Sequence, residues 1–351
     1  MNNLPRPTRG GRTFTRFARG LAHSKGNPDH MRLWLSGQNF DDEDELQRAT
    51  KALSGAVSLD AYAQLYAGVS DDLAAYLRGK TLTGRMALRR PPLGVRTLAV
   101  TSGSIGTFVQ EGRPIPVGEL QFTGGELLMP RRIATICVVT KELVESARPE
   151  AETVLRDDLT KGLIETLDQK FIDPNNAGDD ATPASILHGA PNLPLAGGTV
   201  ADLDAGLVAL MDLLIDSGMD LSSAAWVMSS RTKARMALMR SGGALAYPGI
   251  AGNELAGFKV FDSAAVQHVG SPGSGLIALV QQSEVNLADA GQSEVEFTRQ
   301  GDLQMQTAPL ATAAQMINMW QNGLVAYRVM RALNWQPRRS GAAAYLSGVS
   351  I

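Results

Sequence analysis

The sequence has few of the residues from which most catalytic and metal sites are built. It contains one cysteine, Cys137, and four histidines among 351 residues. A single thiol excludes an internal disulfide. No histidine has a second histidine or a cysteine three or four positions away, so a zinc site has little support. Cys137 lies in an apolar segment, which favours a buried structural residue over a nucleophile.

Long apolar runs and the common nucleotide and hydrolase motifs are also missing. No apolar segment approaches the roughly 18 residues that a membrane-spanning helix needs. The chain has no Walker loop and no Gly-x-Gly-x-x-Gly fingerprint, and no Gly-x-Ser-x-Gly elbow frames a serine nucleophile. The residues therefore predict no catalytic site, no cofactor and no metal.

What the sequence does contain is a large apolar fraction. Hydrophobic residues make up 44% of the chain and charged residues 19%, which permits a sizeable core and argues against wholesale disorder. The length is typical of about two domains. A net charge of −2 gives the chain as a whole none of the basic character of nucleic-acid-binding domains.

Charge is nevertheless segregated along the chain. Residues 1–40 carry seven basic residues and one acid, and the five acids of Asp41–Glu45 then reverse the sign. A solvated basic arm explains the first segment, although its composition is also that of an organellar transit peptide. Residues 78–110 carry six basic residues and no acid. They can contact phosphate or pair with acids of another subunit.

The clearest periodic pattern predicts a helix over Pro149–Ile172. Proline is favoured at the first helical position, and the acids that follow it suit the positive end of the helix dipole. Apolar residues then recur every fourth position, which predicts one buried face. These residues are Leu155, Leu159, Leu163, Leu167 and Phe171.

Downstream of this helix the pattern alternates between helices and strands. Thr199 and Asp202 form a capping-box signature before an amphipathic helix that closes at Gly218. Ser229 or Ser230 is expected to cap a second helix, which ends at Gly242-Gly243. A buried strand is predicted at Ala224–Met228, and short strands are predicted at Phe258–Phe261, Leu276–Val280 and Val295–Thr298.

Two expectations concern the last third of the chain. Trp226, Trp320 and Trp335 all lie in apolar strand contexts, so core packing is expected for each. Residues 338–351 are rich in glycine, alanine and serine and are expected to form a flexible tail.

The segment Gly106–Lys141 is the most informative part of the sequence. It contains Pro114 and Pro116, the pair Gly124-Gly125, and β-type residues on both sides. Proline cannot donate to a sheet ladder and the glycine pair permits a tight turn, so a long two-stranded finger is predicted. Such a finger has little surface of its own to bury, and another copy of the chain would supply its partner.

The same residues carry a family resemblance. The stretch EGRPIPVGELQF at 111–122 resembles the extended loop of tailed-bacteriophage major capsid proteins with the Hong Kong 97-type fold. Further blocks follow in the order of that family, and together they cover roughly residues 70–335. These blocks are Thr140–Leu143, Arg156–Leu159, Trp226–Ser229, Leu255–Phe258 and Trp320–Asn322.

The resemblance implies an α+β, Hong Kong 97-like phage capsid fold with peripheral and axial domains. Residues 1–69 would form a basic arm with short helices, before a peripheral domain at 70–198. The peripheral domain would contain the extended loop (E-loop, 106–131) and the spine helix (149–172). An axial domain at 199–307, a return strand at 308–337 and the flexible tail at 338–351 would follow.

The function implied is that of a structural shell subunit and not of an enzyme. Copies would assemble into pentamers and hexamers of an icosahedral head around double-stranded DNA, held by non-specific electrostatics, with scaffold and portal proteins as further partners and no membrane. Assembly would take place in the cytoplasm of a host bacterium, and the product would be the virion capsid. An encapsulin-like compartment shell is the alternative with the same fold, and a soluble α/β hydrolase is the alternative from another class.

In a shell, charged residues of the finger are the candidates for contacts between subunits. Exposed ion pairs of this kind each contribute less than about 1 kcal/mol, so many are needed. The candidates on the finger and at its base are Glu111, Arg113, Glu119, Arg131 and Arg132.

We predict that the assembled shell is non-covalent. Some members of the resembling family join a loop lysine to an asparagine with a glutamate as catalyst. Here no lysine lies between Lys80 and Lys141, and Met319–Asn322 contains no glutamate. Denaturing electrophoresis of assembled particles should give one band at 37.3 kDa. A ladder of multimers would contradict this prediction.

Overall fold

The computed structural model describes residues 20, 23–24, 30–31, 33–34, 73–102, 121–142, 149–195, 197–266, 275–304, 316–339 and 341–349. The chain forms two compact units. The first comprises Met1–Lys80, Arg132–Glu165 and Gly291–Ala332. The second comprises Thr81–Arg131, Thr166–Ala290 and Leu333–Ile351.

The described residues contain both helices and strands, and the strands from β6 onward follow one another without an intervening α-helix, as is typical of an α+β fold. Residues 73–80 are helical. The α-helices that follow are α1 (Leu82–Arg85), α2 (Pro149–Ile172), α3 (Val200–Asp216) and α4 (Ser230–Leu238). The strands are β1 (Arg96–Ser102), β2 (Gln121–Leu127), β3 (Arg131–Thr140), β4 (Asn192–Pro194), β5 (Ala224–Ser229), β6 (Arg240–Ser241), β7 (Ala244–Leu245), β8 (Glu254–Leu255), β9 (Phe258–Ser263), β10 (Gly275–Gln281), β11 (Val285–Thr298), β12 (Asp302–Gln304), β13 (Met316–Asn318), β14 (Leu324–Pro337) and β15 (Ala343–Val349).

A six-stranded sheet of order β4-β15-β10-β5-β9-β8 forms the centre of the second unit. β10 pairs antiparallel with both β15 and β5, and β5 pairs parallel with β9. Every residue of β5 and β10 is buried, which explains why both read as continuous apolar runs in the sequence. Trp226 is fully buried, and its indole N–H donates to the carbonyl of Leu255 at 3.0 Å.

Helix α3 packs against this sheet, and its predicted start is confirmed. The Thr199 side chain accepts a hydrogen bond from the Asp202 N–H, and the Asp202 carboxylate accepts one from the Thr199 N–H. Gly206 lets the helix approach closely, because a Cβ there would lie 3.1 Å from a methyl carbon of Leu346. The residues that the helix buries are Leu203, Leu207, Leu210 and Leu214.

The expected flexible tail at 338–351 is wrong for residues 343–349. These residues form β15, which lies between β4 and β10 inside the sheet. Leu346 is 1% exposed. Small side chains are no obstacle here because the neighbouring strands supply the hydrogen bonds and helix α3 supplies apolar cover. Arg338, just before the strand, forms an ion pair with Glu284 at 3.2 Å.

Two other expectations about glycines need correction. Gly124 and Gly125 lie inside β2, where Gly124 pairs with Leu98 of β1, so they form no turn. Gly242 and Gly243 do not end helix α4, which stops at Leu238. They connect the short strands β6 and β7, with φ angles of 59° and 90°, where glycine is favoured.

The predicted long helix is confirmed as α2, with the bounds Pro149–Ile172. Its C-terminal residues face the core: Leu167, Phe171 and Ile172 are at most 2% exposed. The Phe171 ring meets the Trp335 ring edge to face, with centroids 5.4 Å apart. Within the described residues, no helix is long and apolar enough to cross a membrane.

Of the predicted finger at 106–131, the structure describes residues 121–131. They include β2, which pairs antiparallel with β1, a strand that precedes the predicted finger. Residues 103–120, which contain both prolines, lie outside the described residues. In the first unit, β3 belongs to a three-stranded sheet of order β11-β14-β3. Cys137 of β3 is 8% exposed, which confirms the expected buried thiol.

Asp168 of helix α2 is a buried polar connection that sequence analysis did not find. It is 0% exposed. Its Oδ1 accepts the Leu82 N–H at 2.7 Å, and its Oδ2 accepts the Ser263 hydroxyl at 2.7 Å. The carboxyl thereby joins α2 to the start of α1 and to the end of β9. Burial raises the pKa of Asp168 to about 6, although the two hydrogen bonds and the charge of Arg85 oppose the shift.

We predict that Asp168 makes the second unit less stable as pH rises. A carboxyl whose pKa is higher in the folded state than in the unfolded chain keeps its proton in the fold, so its stabilising effect is complete below about pH 4 and is lost as pH rises through about 6. In Asp168→Asn this loss is absent. Relative to the variant, the wild type should lose about 2–3 kcal/mol of unfolding free energy between pH 4 and 7, measured by urea denaturation of unassembled subunits.

Asp262→Asn is the control of opposite sign. Burial acts to raise the pKa of Asp262, but hydrogen bonds from Lys233 and Ser230 outweigh it, and the pKa is lowered. The Asp262 carboxylate should therefore raise the unfolding free energy as pH rises, and Asp262→Asn should lack that increase. Parallel stability curves for the wild type and Asp168→Asn would contradict the prediction.

Candidate intersubunit contact surfaces

The five predicted contact residues fall into two groups. Glu111, Arg113 and Glu119 lie in the segment 103–120, outside the described residues. Arg131 and Arg132 are the first two residues of β3. Because successive side chains of a strand point to opposite faces, these two arginines have different surroundings.

Arg131 is held within its own unit. Its Nη1 donates to the backbone carbonyl of Asp179 at 2.7 Å, and its Nε is enclosed without an acceptor. The pKa of the Asp179 carboxyl is lowered, first by the Thr182 and Ala181 N–H groups and to a smaller extent by the charge of Arg131. Arg131 borders a groove of about 360 Å³ that Trp335 also lines.

Arg132, in contrast, is exposed. Its side chain extends from the first unit into solvent, where a second copy of the chain could reach it. Of the two described candidates, Arg132 therefore has the geometry of a surface contact, and Arg131 has that of a residue that positions the start of β3.

Basic residues of the 78–110 segment are also divided between internal and external roles. The Arg85 guanidinium donates to the Asp262 carbonyl and lies 6.0 Å from the centre of the Phe261 ring. The Lys80 ammonium lies 5.9 Å from the centre of the Tyr76 ring. Arg89, Arg90 and Arg96 are exposed, and all three belong to the second unit.

Trp320 is the largest departure from the expected core. Trp226 and Trp335 are buried as predicted, but the Trp320 side chain is 78% exposed. It lies in the turn between β13 and β14, not in a strand. The apolar sequence around it misled the prediction, because Met319 and Val325 on either side turn inward and Trp320 does not.

The turn that carries Trp320 is well braced. Asn318 Oδ1 accepts the Gln321 N–H at 2.9 Å, and the Asn322 amide donates to the Asn318 carbonyl at 2.8 Å. The Gly323 carbonyl accepts the Lys141 N–H at 2.9 Å. Gly323 has a φ of 60°, which glycine adopts at little cost. The indole is therefore presented to solvent on a fixed support.

A pocket of about 730 Å³ lies beside this turn in the first unit. Arg299, Lys141 and Trp320 contribute its polar and aromatic groups, and Phe297, Leu324 and Val325 contribute apolar surface. Arg299 has two enclosed nitrogens, Nε and Nη2, that meet no acceptor. No group of three or more histidine, cysteine, aspartate or glutamate side chains among the described residues could hold a metal ion.

Comparison with known proteins places the chain in a family. The model of the phage capsid family matches residues 90–348. The capsid polyprotein of Pseudomonas phage PAJU2 is 33% identical over 97% of this chain and 54% of its own length. This chain thus spans about half of that relative. The major capsid protein of Klebsiella oxytoca phage phiKO2 is 22% identical over 83% of this chain and 69% of its own length.

Solved structures share the fold at low sequence identity. A structure from Mycobacterium phage Ogopogo has a TM-score of 0.55 and 15% identity, and covers 76% of this chain and 91% of its own. The capsid of a native GTA particle, computed with C5 symmetry, has a TM-score of 0.51 and 13% identity over 93% and 97% of the two chains. The fold is the Hong Kong 97-like one that the resemblance implied, and the chain belongs to the phage capsid family.

Proposed function

We propose that this chain is the major head subunit of a tailed phage or prophage. Its copies form pentamers and hexamers of an icosahedral shell around double-stranded DNA, and its role is structural, without catalysis. The observation that carries the proposal is the 33% identity to a phage capsid polyprotein over 97% of the chain. A relative named major capsid protein supports the same role.

The proposed location and partners follow from this role. The shell would be the virion capsid, assembled in the cytoplasm of a bacterial host, and the named relatives come from phages of Pseudomonas and Klebsiella. Scaffold and portal proteins would be further partners. The exposed arginines Arg89, Arg90 and Arg96 supply charge that suits non-specific contact with DNA phosphates.

The domain assignment is part of the proposal. The finger at 106–131 would lie over a neighbouring subunit, and the arm at 1–69 would reach another. The peripheral domain at 70–198, with the return strand at 308–337, and the axial domain at 199–307 would form the body of the capsomer. Glu111, Arg113, Glu119 and Arg132 would contribute ion pairs between subunits, whereas Arg131 would act within its own subunit.

We predict that the purified full chain assembles. Size-exclusion chromatography should give capsomer-sized or larger species, and negative-stain electron microscopy should show rings or closed shells. A compact monomer of 37.3 kDa at all concentrations would contradict the proposal. Particles from the producing cell that protect DNA from nuclease support a phage head, whereas particles filled with a protein cargo would indicate the compartment shell instead.

We predict different effects for the two arginines at the start of β3. Arg131→Ala removes a hydrogen bond inside the subunit and should lower the unfolding free energy of unassembled subunits by about 1 kcal/mol. Arg132→Ala should leave that energy unchanged and raise the concentration needed for assembly, with a smaller effect at high salt, where exposed pairs are screened. An Arg132→Ala protein that assembles like the wild type at low salt would remove Arg132 from the contact set.

A further inference from the structure

The pocket beside the Trp320 turn contains Arg299, a cation for which the described residues supply no acceptor at two nitrogens. Two nitrogens of Arg299 are enclosed and meet no hydrogen-bond acceptor. A guanidinium cannot lose its charge at physiological pH. Leaving its N–H groups without acceptors costs on the order of 1–3 kcal/mol for each buried group. A further acceptor in the pocket would remove this cost.

Among the described residues, the two acids nearest to Arg299 in the sequence are already engaged. Glu296, three residues before Arg299, forms an ion pair with Arg328. Asp302, three residues after it, accepts a hydrogen bond from the Asn318 amide at 2.7 Å. None of the described residues that line the pocket is an acid, and its second basic residue, Lys141, adds to the positive potential. Its charge therefore favours an anionic group.

The aromatic rim indicates that the ligand is larger than a small ion. Trp320 is 78% exposed at the edge of the pocket. Its turn is fixed by the hydrogen bonds of Asn318 and Asn322. A partner that docks against the ring therefore causes little further loss of conformational entropy in the turn. Tryptophan and arginine are among the residues that most often dominate the binding energy of protein interfaces.

We propose that this pocket, defined by Arg299, Lys141 and Trp320, accepts an acidic side chain of a second copy of this chain. The incoming carboxylate pairs with Arg299, and the indole of Trp320 covers the chain segment that carries it. This inference rests on the proposed function, because only an assembling subunit brings a second copy to the pocket.

The sequence contains acidic residues that could enter the pocket of another copy. Five consecutive acids occur at Asp41–Glu45, and the finger carries Glu111 and Glu119. All of these lie outside the described residues. A second copy is favoured over a free anion because a small anion would satisfy Arg299 and leave the braced indole uncovered.

The first test separates assembly from subunit stability. Arg299→Met removes the charge and keeps a long apolar side chain, and Arg328→Met is the matched control, because Arg328 already has a partner in Glu296. Arg299→Met should raise the concentration needed for assembly about tenfold, the loss expected for one charged hydrogen bond. The urea midpoint of unassembled Arg299→Met subunits should stay unchanged or rise, since an unpaired buried charge is removed.

The second measurement follows Trp320 itself. Acrylamide quenching of wild-type and Trp320→Phe proteins gives the Trp320 contribution by difference, and that contribution should become less quenchable on assembly. Carbodiimide treatment of particles mixed from ¹⁴N and ¹⁵N subunits should then link Lys141 of one copy to an acid of another, and mass spectrometry identifies the acid.

The outcomes are distinct. Three results would each overturn the acceptor site and leave the proposed function standing. In the first, Trp320 is as quenchable in wild-type particles as in free subunits. In the second, Lys141 is linked only within its own copy or not at all, and in the third, the Arg299→Met protein assembles normally. A lowered urea midpoint of the Arg299→Met protein would show that Arg299 stabilises its own subunit, and would also overturn the acceptor site. A wild-type chain that never assembles would overturn the proposed function and this inference together.

Discussion

The hydrogen-bond ladder that runs from β5 through β10 to β15 is the constraint on which the second unit depends. These strands come from residues 224–229, 275–281 and 343–349. Every residue of β5 and β10 is buried, so both faces of these two strands are covered. In such a place a backbone group without a partner costs on the order of 1–3 kcal/mol. The strands therefore stay in register, and the register sets where helix α3 and the Trp226 indole can pack.

Local signals were sufficient where a segment determines its own structure. The proline and the four-residue apolar repeat gave helix α2 its bounds, and Thr199 with Asp202 gave the start of α3. The continuous apolar runs gave β5 and β10. In each case the favoured conformation and the favoured burial agree within one stretch of chain, so no knowledge of distant contacts was needed.

The errors arose where a distant segment decides the outcome. The weakly apolar residues 343–349 become a core strand because β4 and β10 flank them. Gly124 is extended because Leu98 lies opposite it. Asp168 has no sequence signature, since its partners Leu82 and Ser263 are about ninety residues away in either direction. Trp320 is exposed because a network of asparagine hydrogen bonds, not hydropathy, sets the course of its turn.

The central place of β15 has a consequence for protein synthesis. The chain emerges from the ribosome from its N-terminus, and β5 and β10 are complete long before residue 343 appears. Until then one edge of β10 lacks its neighbour, and open edges of apolar strands invite pairing with other chains. Translation products that stop before this strand cannot complete the sheet, so interrupted synthesis yields chains in which the core of the second unit stays open.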